Sequence, residues 1–236
     1  MKKLSMAAML TSMMLLAACS DDGDPTEVDT RPSVRFFNAT TGLAGNGGFT
    51  ANGQFAAGSA LAPGQTTCSR VAEGTTSFAF GAANASGAGL SGSALATLDN
   101  QNIAAGGSYT VVATGPAASP TLLLFNNSFS GTLGSNQTAV RFANLAPPSG
   151  TTTYNYFAYS GAVGTTVLAS NLAFGLASAY STMTSGAHTF SVLQTPGHAE
   201  VVTETPFTLP GGSVNTMAIF RNASGGTQLV PLPRCS

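Results

Sequence analysis

Phe78 and Phe80 alternate with Ser77 and Ala79, and Phe190 and Val192 alternate with Thr189 and Ser191. A period of two marks a strand with one face on a core. Ser108–Thr114 and Ser213–Arg221 are β-rich runs opened by Gly-Gly turns, and 151–160 and 201–209 read likewise. Turn signals recur about every 8–12 residues, which predicts about six or seven short strands in each half of the chain. No window beyond the N-terminal segment offers a capped helix of period 3.6.

The pattern also repeats on a longer scale. Ser33-Val34-Arg35-Phe36-Phe37-Asn38 returns as Ala139-Val140-Arg141-Phe142-Ala143-Asn144, 106 residues later. Gly74-Thr75-Thr76-Ser77-Phe78 returns as Gly186-Ala187-His188-Thr189-Phe190 at 112, and Ala105-Gly106-Gly107-Ser108 as Pro210-Gly211-Gly212-Ser213 at 105. A long unit present twice predicts two domains and not a solenoid. The expected organisation is all-β: two tandem antiparallel β-sandwiches over 33–130 and 137–236, joined through the polar stretch Gly131–Asn136.

The N-terminus reads differently. Lys2 and Lys3 precede an apolar run from Leu4 to Leu16, and small residues lead into Cys19. That order is a secretory signal, too short to persist as a spanning helix. Leu16-Ala17-Ala18-Cys19 resembles the lipobox of bacterial lipoproteins. The resemblance implies a signal peptide over 1–18, a lipid (diacylglycerol and palmitate-type acyl chains) on Cys19, and a membrane held through it. The alternative is a plain secretory signal with a chance cysteine. Ser20 in place of aspartate points to the outer membrane, with the periplasmic or surface face left open. Residues 19–32 form a flexible acidic tether.

Charge adds little. From Cys19 onward there are six Lys and Arg against nine Asp and Glu, a net of −3, and five of the acids precede Pro32. No basic patch exists, so nucleic acid is not an expected partner. Lipidation of Cys19 would leave Cys68 and Cys235, an even pair in an oxidising compartment. A disulfide between them is favoured over two buried thiols.

The repeated motifs carry a resemblance. Val34-Arg35-Phe36 and Val140-Arg141-Phe142, then Phe174-Gly175, Tyr180, Gly186 and Phe190, and Gly106-Gly107-Ser108-Tyr109-Thr110-Val111-Val112 are similar to the DUF4397 domain of exported bacterial proteins. That likeness covers most of 33–230 and implies immunoglobulin-like sandwiches of uncharacterised function. Relatives carry Pro-Asp-Ala-Pro after the first strand. Here the corresponding loops, Ala39–Gly42 and Leu145–Gly150, hold no carboxylate. Cys68 stands where the second copy has Tyr180.

Little chemistry emerges. Gly87-Ala88-Gly89-Leu90-Ser91-Gly92 spells a dinucleotide fingerprint, but it lies in a small-residue loop with no helix to follow. His188 is in phase with Phe190 as a core-edge residue. His198 and Glu200 lack a third ligand, so neither metal nor cofactor is expected. No catalytic residues are assigned. Arg35 and Arg141 fall on the face opposite Val34/Phe36 and Val140/Phe142. They are expected there as solvated side chains, or in an interdomain ion pair with Glu73, Asp99, Glu200 or Glu204. Tyr154 and Tyr156 point to one face, Phe157 and Tyr159 to the other, and one of these faces is the candidate recognition surface. Asn38, Asn84, Asn126, Asn136 and Asn222 open chance glycosylation sequons. The expected function is a non-enzymatic binding or structural module of the cell envelope, with an envelope protein or glycan as partner. The alternatives are a glycan-active enzyme using acids such as Asp99 and Glu204, or a subunit assembling through strand edges. The sequence leaves the oligomeric state open.

Overall fold

The computed structural model describes residues 29–148, 154–195 and 199–235. The expected signal peptide, Cys19 and the expected tether up to Val28, together with His198, lie outside the described residues. Sixteen strands and no helix appear among those described, one or two more strands per half than the turn spacing predicts. The first eight are β1 (Ser33–Thr41), β2 (Gly47–Ala51), β3 (Gln54–Phe55), β4 (Thr66–Arg70), β5 (Gly74–Ala82), β6 (Ala96–Ile103), β7 (Ser108–Pro116) and β8 (Thr121–Asn126). The second eight are β9 (Gln137–Asn144), β10 (Asn155–Ser160), β11 (Thr166–Leu172), β12 (Ser181–Thr184), β13 (Gly186–Thr195), β14 (Ala199–Leu209), β15 (Val214–Arg221) and β16 (Thr227–Pro233).

They form four sheets of four strands. The first sandwich pairs β3-β2-β5-β6 with β4-β1-β7-β8, and the second pairs β11-β10-β13-β14 with β12-β9-β15-β16. Each sandwich closes over its own core. Val34, Phe36, Phe49, Phe78, Phe80 and Val111 fill the first; Val140, Phe142, Tyr156, Phe190, Val192 and Met217 fill the second. Pairing is antiparallel throughout except β1 beside β7 and β9 beside β15, which run parallel.

A third apolar cluster lies between the sandwiches. Phe37 and Ala39 of β1, Val112 of β7 and Phe125 of β8 meet Ala143 and Leu145, Ala218 and Phe220 of β15, and Leu232 of β16. The rings of Phe37 and Phe220 cross edge to face at 5.2 Å. The sheets containing β1 and β9 are therefore inner layers of a four-sheet stack, and both faces of β1 are buried along nearly its whole length. Alternation still governs: Val34 and Phe36 enter the first core, while Arg35 and Phe37 enter the interface.

The outer sheets end in β6 and β14, each interrupted by a bulge. Asn100 (φ 56°) and Glu204 (φ 31°) sit in left-handed backbone there, and their N–H groups donate to the hydroxyls of Ser77 and Ser191. A bulge with its donor already taken blunts an edge against pairing with another chain.

Candidate functional site

The aromatic strand does not form an exposed platform. Tyr156 is 0% exposed in the second core, and Tyr159 is 8% exposed on the opposite face. Tyr154 and Phe157 are half-buried, and Tyr154 packs on the core beneath the Arg221 guanidinium, 5.1 Å from its ring centre. Strand register explains the burial of Tyr156. It occupies the position of Gly47 in the first sandwich, where a Cβ would strike the Phe80 ring. Among the described residues the Tyr156 hydroxyl makes no well-formed hydrogen bond, although Thr227 and Arg221 lie beside it. Burial pushes the phenol's pKa up, partly offset by neighbouring Thr227 and Arg221.

The two arginines are not solvated either, and neither meets a carboxylate among the described residues. Arg35 is 9% exposed and Arg141 8%. Arg35 Nε donates to Pro233 O at 2.7 Å and Nη1 to Thr66 Oγ1 at 3.1 Å. Arg141 Nε donates to Thr216 Oγ1 at 3.0 Å, Nη1 to Asn126 O at 2.8 Å and Nη2 to Asn127 Oδ1 at 2.7 Å, with the Tyr180 ring 4.7 Å away. Each arginine thus reaches from the first strand of one inner sheet to the end of the last strand of the other. Burial lowers both guanidinium pKa values, yet an arginine remains charged at neutral pH. Neutral acceptors compensate each cation. Arg141→Ala would orphan three of them, so an equilibrium urea melt is expected to show a loss of about 2–3 kcal/mol. Arg141→Lys should restore less than half, because an ammonium cannot span the fork.

Cys68 lies opposite Arg35 on β4, and its Sγ is bonded to Sγ of Cys235, with the Cα atoms 6.0 Å apart. The bridge therefore crosses the interface. Tyr180, immediately before β12, occupies the corresponding place beside Arg141 and packs edge to face on Phe129 of the connecting segment at 5.6 Å. One position is a covalent clasp and its counterpart an aromatic one.

These contacts fix a polarity. Arg35, near the start of β1, meets Pro233 at the end of β16, and Thr114, near the end of β7, donates to Leu145 O at 2.6 Å just past β9. The starts of both inner sheets therefore lie together at one end. That end holds the incoming Asp29–Pro32, the 127–136 connection and the Cys68–Cys235 clasp. Gly106 N–H donates to Thr30 O, and Arg31, hydrogen-bonded to Asp29, holds that carboxyl down at about 2 from its ordinary 3.8. The opposite end gathers the turns 42–46, 61–65, 83–95, 116–120 and 222–226. There a cleft of about 200 Å³ opens between the sandwiches, lined by Thr40, Pro63 and Gly64 on one side and Phe220, Asn222 and Gln228 on the other.

The remaining candidates resolve as structure. The glycine fingerprint is an irregular loop between β5 and β6 with no helix. His188 is bonded through Nε2 to Thr184 O at 2.7 Å and stacks on Phe190. Among the described residues no three His, Cys, Asp or Glu side chains converge. Asp99 and Glu204 lie on β6 and β14, in the two outermost sheets, so three sheet spacings of about 10 Å separate them. A glycosidase pair needs about 5–9.5 Å, so Asp99 and Glu204 do not form one. Four of the sequons are turn devices: Asn38, Asn84, Asn126 and Asn222 each accept at Oδ1 from the hydroxyl two residues on. Asn38 is fully buried. The sequence signal was there, since Asn-x-Ser/Thr is also the pattern of an Asx turn closed by a hydroxyl.

Residues 32–154, just over half of the chain, match the family described as Domain of unknown function (DUF4397). The chain belongs to that family. The matched stretch of this DUF4397 protein runs through the first sandwich and β9 to Tyr154. No curated protein matches it. Solved structures that it is similar to include a candidate cell adhesion protein from Bacteroides ovatus, at 8% identity and TM-score 0.24, covering 88% of this chain and 98% of that one. A candidate adhesin from the same species matches at 8% identity and TM-score 0.19, covering 86% and 95%.

Proposed function

We propose that this DUF4397 protein is a non-enzymatic envelope module, held to the outer membrane by lipid on Cys19, that presents its far-end loops to a protein or glycan partner. The carrying observation is the polarity of the stack. The chain enters at the end that also holds the connection and the disulfide, so a short N-terminal tether leaves the opposite loops and their cleft facing away from the anchor. A bridge between Cys68 and Cys235 is the kind of bond an exported compartment sustains. Loops set on a rigid sandwich are where binding residues concentrate.

Metabolic labelling with an alkyne palmitate tests the anchor. Label is expected on the wild-type chain and none on Cys19→Ser, which should also leave the membrane fraction. Equal labelling of both would overturn it. Proteinase K treatment of intact cells then assigns the face: a shaved protein is on the surface, a protected one is periplasmic.

A further inference from the structure

The two halves of the disulfide are unequally exposed. Cys68 lies on β4, the edge strand of its sheet, and is exposed, whereas Cys235 is 7% exposed. Along β4 toward the chain-entry end, the residues sharing a face with Arg35 run from half-buried Thr66 to exposed Cys68 and exposed Arg70. The bridge therefore emerges at the rim of the interface, one cysteine open to solvent and the other enclosed. A thiolate must reach a sulfur to break a disulfide, so access selects which of the two is attacked.

The surroundings suit such an attack. Arg35 stands directly across from Cys68, and its Nε bonds Pro233 O, two residues before Cys235. Arg70 is two residues on from Cys68, and Arg234 precedes Cys235. Asp29, hydrogen-bonded to Arg31 and 4.0 Å from Arg70, and Glu73 are the acids described at this end. A guanidinium beside a sulfur stabilises it as the thiolate, and a stabilised thiolate leaves a disulfide faster. Opening the bridge does not require the sandwiches to part, because Phe37, Phe125 and Phe220 pack between them without it.

We propose that Cys68 Sγ is a thiol-exchange site through which a dithiol reductant opens the clasp in the folded protein. The entering thiolate bonds to Cys68 Sγ, the Cys68–Cys235 bond breaks, and its electron pair leaves on Cys235 as a thiolate. The second thiol of the reductant then attacks the sulfur joined to Cys68 and expels Cys68 as a thiolate. The reductant ends as a disulfide and the clasp as two thiols. With a monothiol the Cys235 thiolate attacks Cys68 again, expels the adduct and recloses the bridge. The site lies at the opposite end from the far-end loops, and it stands or falls independently of the lipid anchor.

The test uses the full chain in native buffer. With dithiothreitol, the rate of reduction is expected to rise linearly with reductant and to stay unchanged by urea below the unfolding transition. A rate that climbs with urea in that range would place the reaction in the unfolded chain and overturn the proposal. Position is read after a pulse of glutathione, an acid quench and labelling with N-ethylmaleimide. Peptide mass spectrometry should then find glutathione on Cys68 and maleimide on Cys235, by at least about tenfold over the reverse. Single variants answer without a transient adduct: Cys235→Ser should take up maleimide at least about tenfold faster than Cys68→Ser. Glutathione mainly on Cys235, or equal labelling of the two variants, would overturn it.

Discussion

Replacing both Cys68 and Cys235 by serine is expected to cost about 3–5 kcal/mol in equilibrium urea unfolding, with the slope of the transition unchanged. The bridge joins residues 167 apart and closes most of the folded chain into one loop. A loop of that length is worth about 5 kcal/mol of denatured-state entropy in the simplest treatment, an upper figure because the interface already restrains both ends. Phe37, Phe125, Ala218 and Phe220 remain packed without the bridge, so the variant should fold and remain a single body at low denaturant. A loss below about 1 kcal/mol would mean that the apolar interface alone fixes the sandwiches against each other. The single variant Cys68→Ser should match the double one in stability, since either change opens the same loop.

The clasp also shows where sequence reasoning carries and where it stops. Cysteine count and the expected compartment were enough to favour pairing Cys68 with Cys235, since an even remainder of two leaves a single pairing. Strand alternation likewise separated Val34 and Phe36 from Arg35 correctly. What alternation does not encode is the layer lying against each face. An arginine on the non-core face reads as solvated, and here that face is covered by a second sandwich whose carbonyls and hydroxyls replace water. The compensating groups, Pro233 O, Asn126 O and Thr216 Oγ1, are neutral and far away in sequence, so no opposite charge advertised the contact.

The repeat was legible only where both halves solve a position in the same way. Inside the cores they do not. Phe49 and Phe80 fill the first core beside Gly47; at the same register positions the second has Ala158 and Val192 beside Tyr156. The volume is conserved but moved to the neighbouring strand position, a trade that packing permits and that residue-by-residue matching misses.

That exchange makes Tyr156 a residue of stability and not of recognition, with measurable consequences. Tyr156→Ala is expected to destabilise the protein by about 3–5 kcal/mol, the range for emptying an aromatic site in a packed core. Tyr156→Phe should be close to neutral, because it removes a buried hydroxyl that makes no well-formed hydrogen bond among the described residues. Half-buried Phe157, on the other face of the same strand, should lose only about 1 kcal/mol on truncation to alanine. Urea melts of the three variants give the ordering directly. A role for this strand as an exposed binding platform requires the reverse, with Tyr156→Ala leaving the midpoint unmoved while partner binding falls. Retained stability in Tyr156→Ala would place the ring outside the core and return the aromatic strand to the surface.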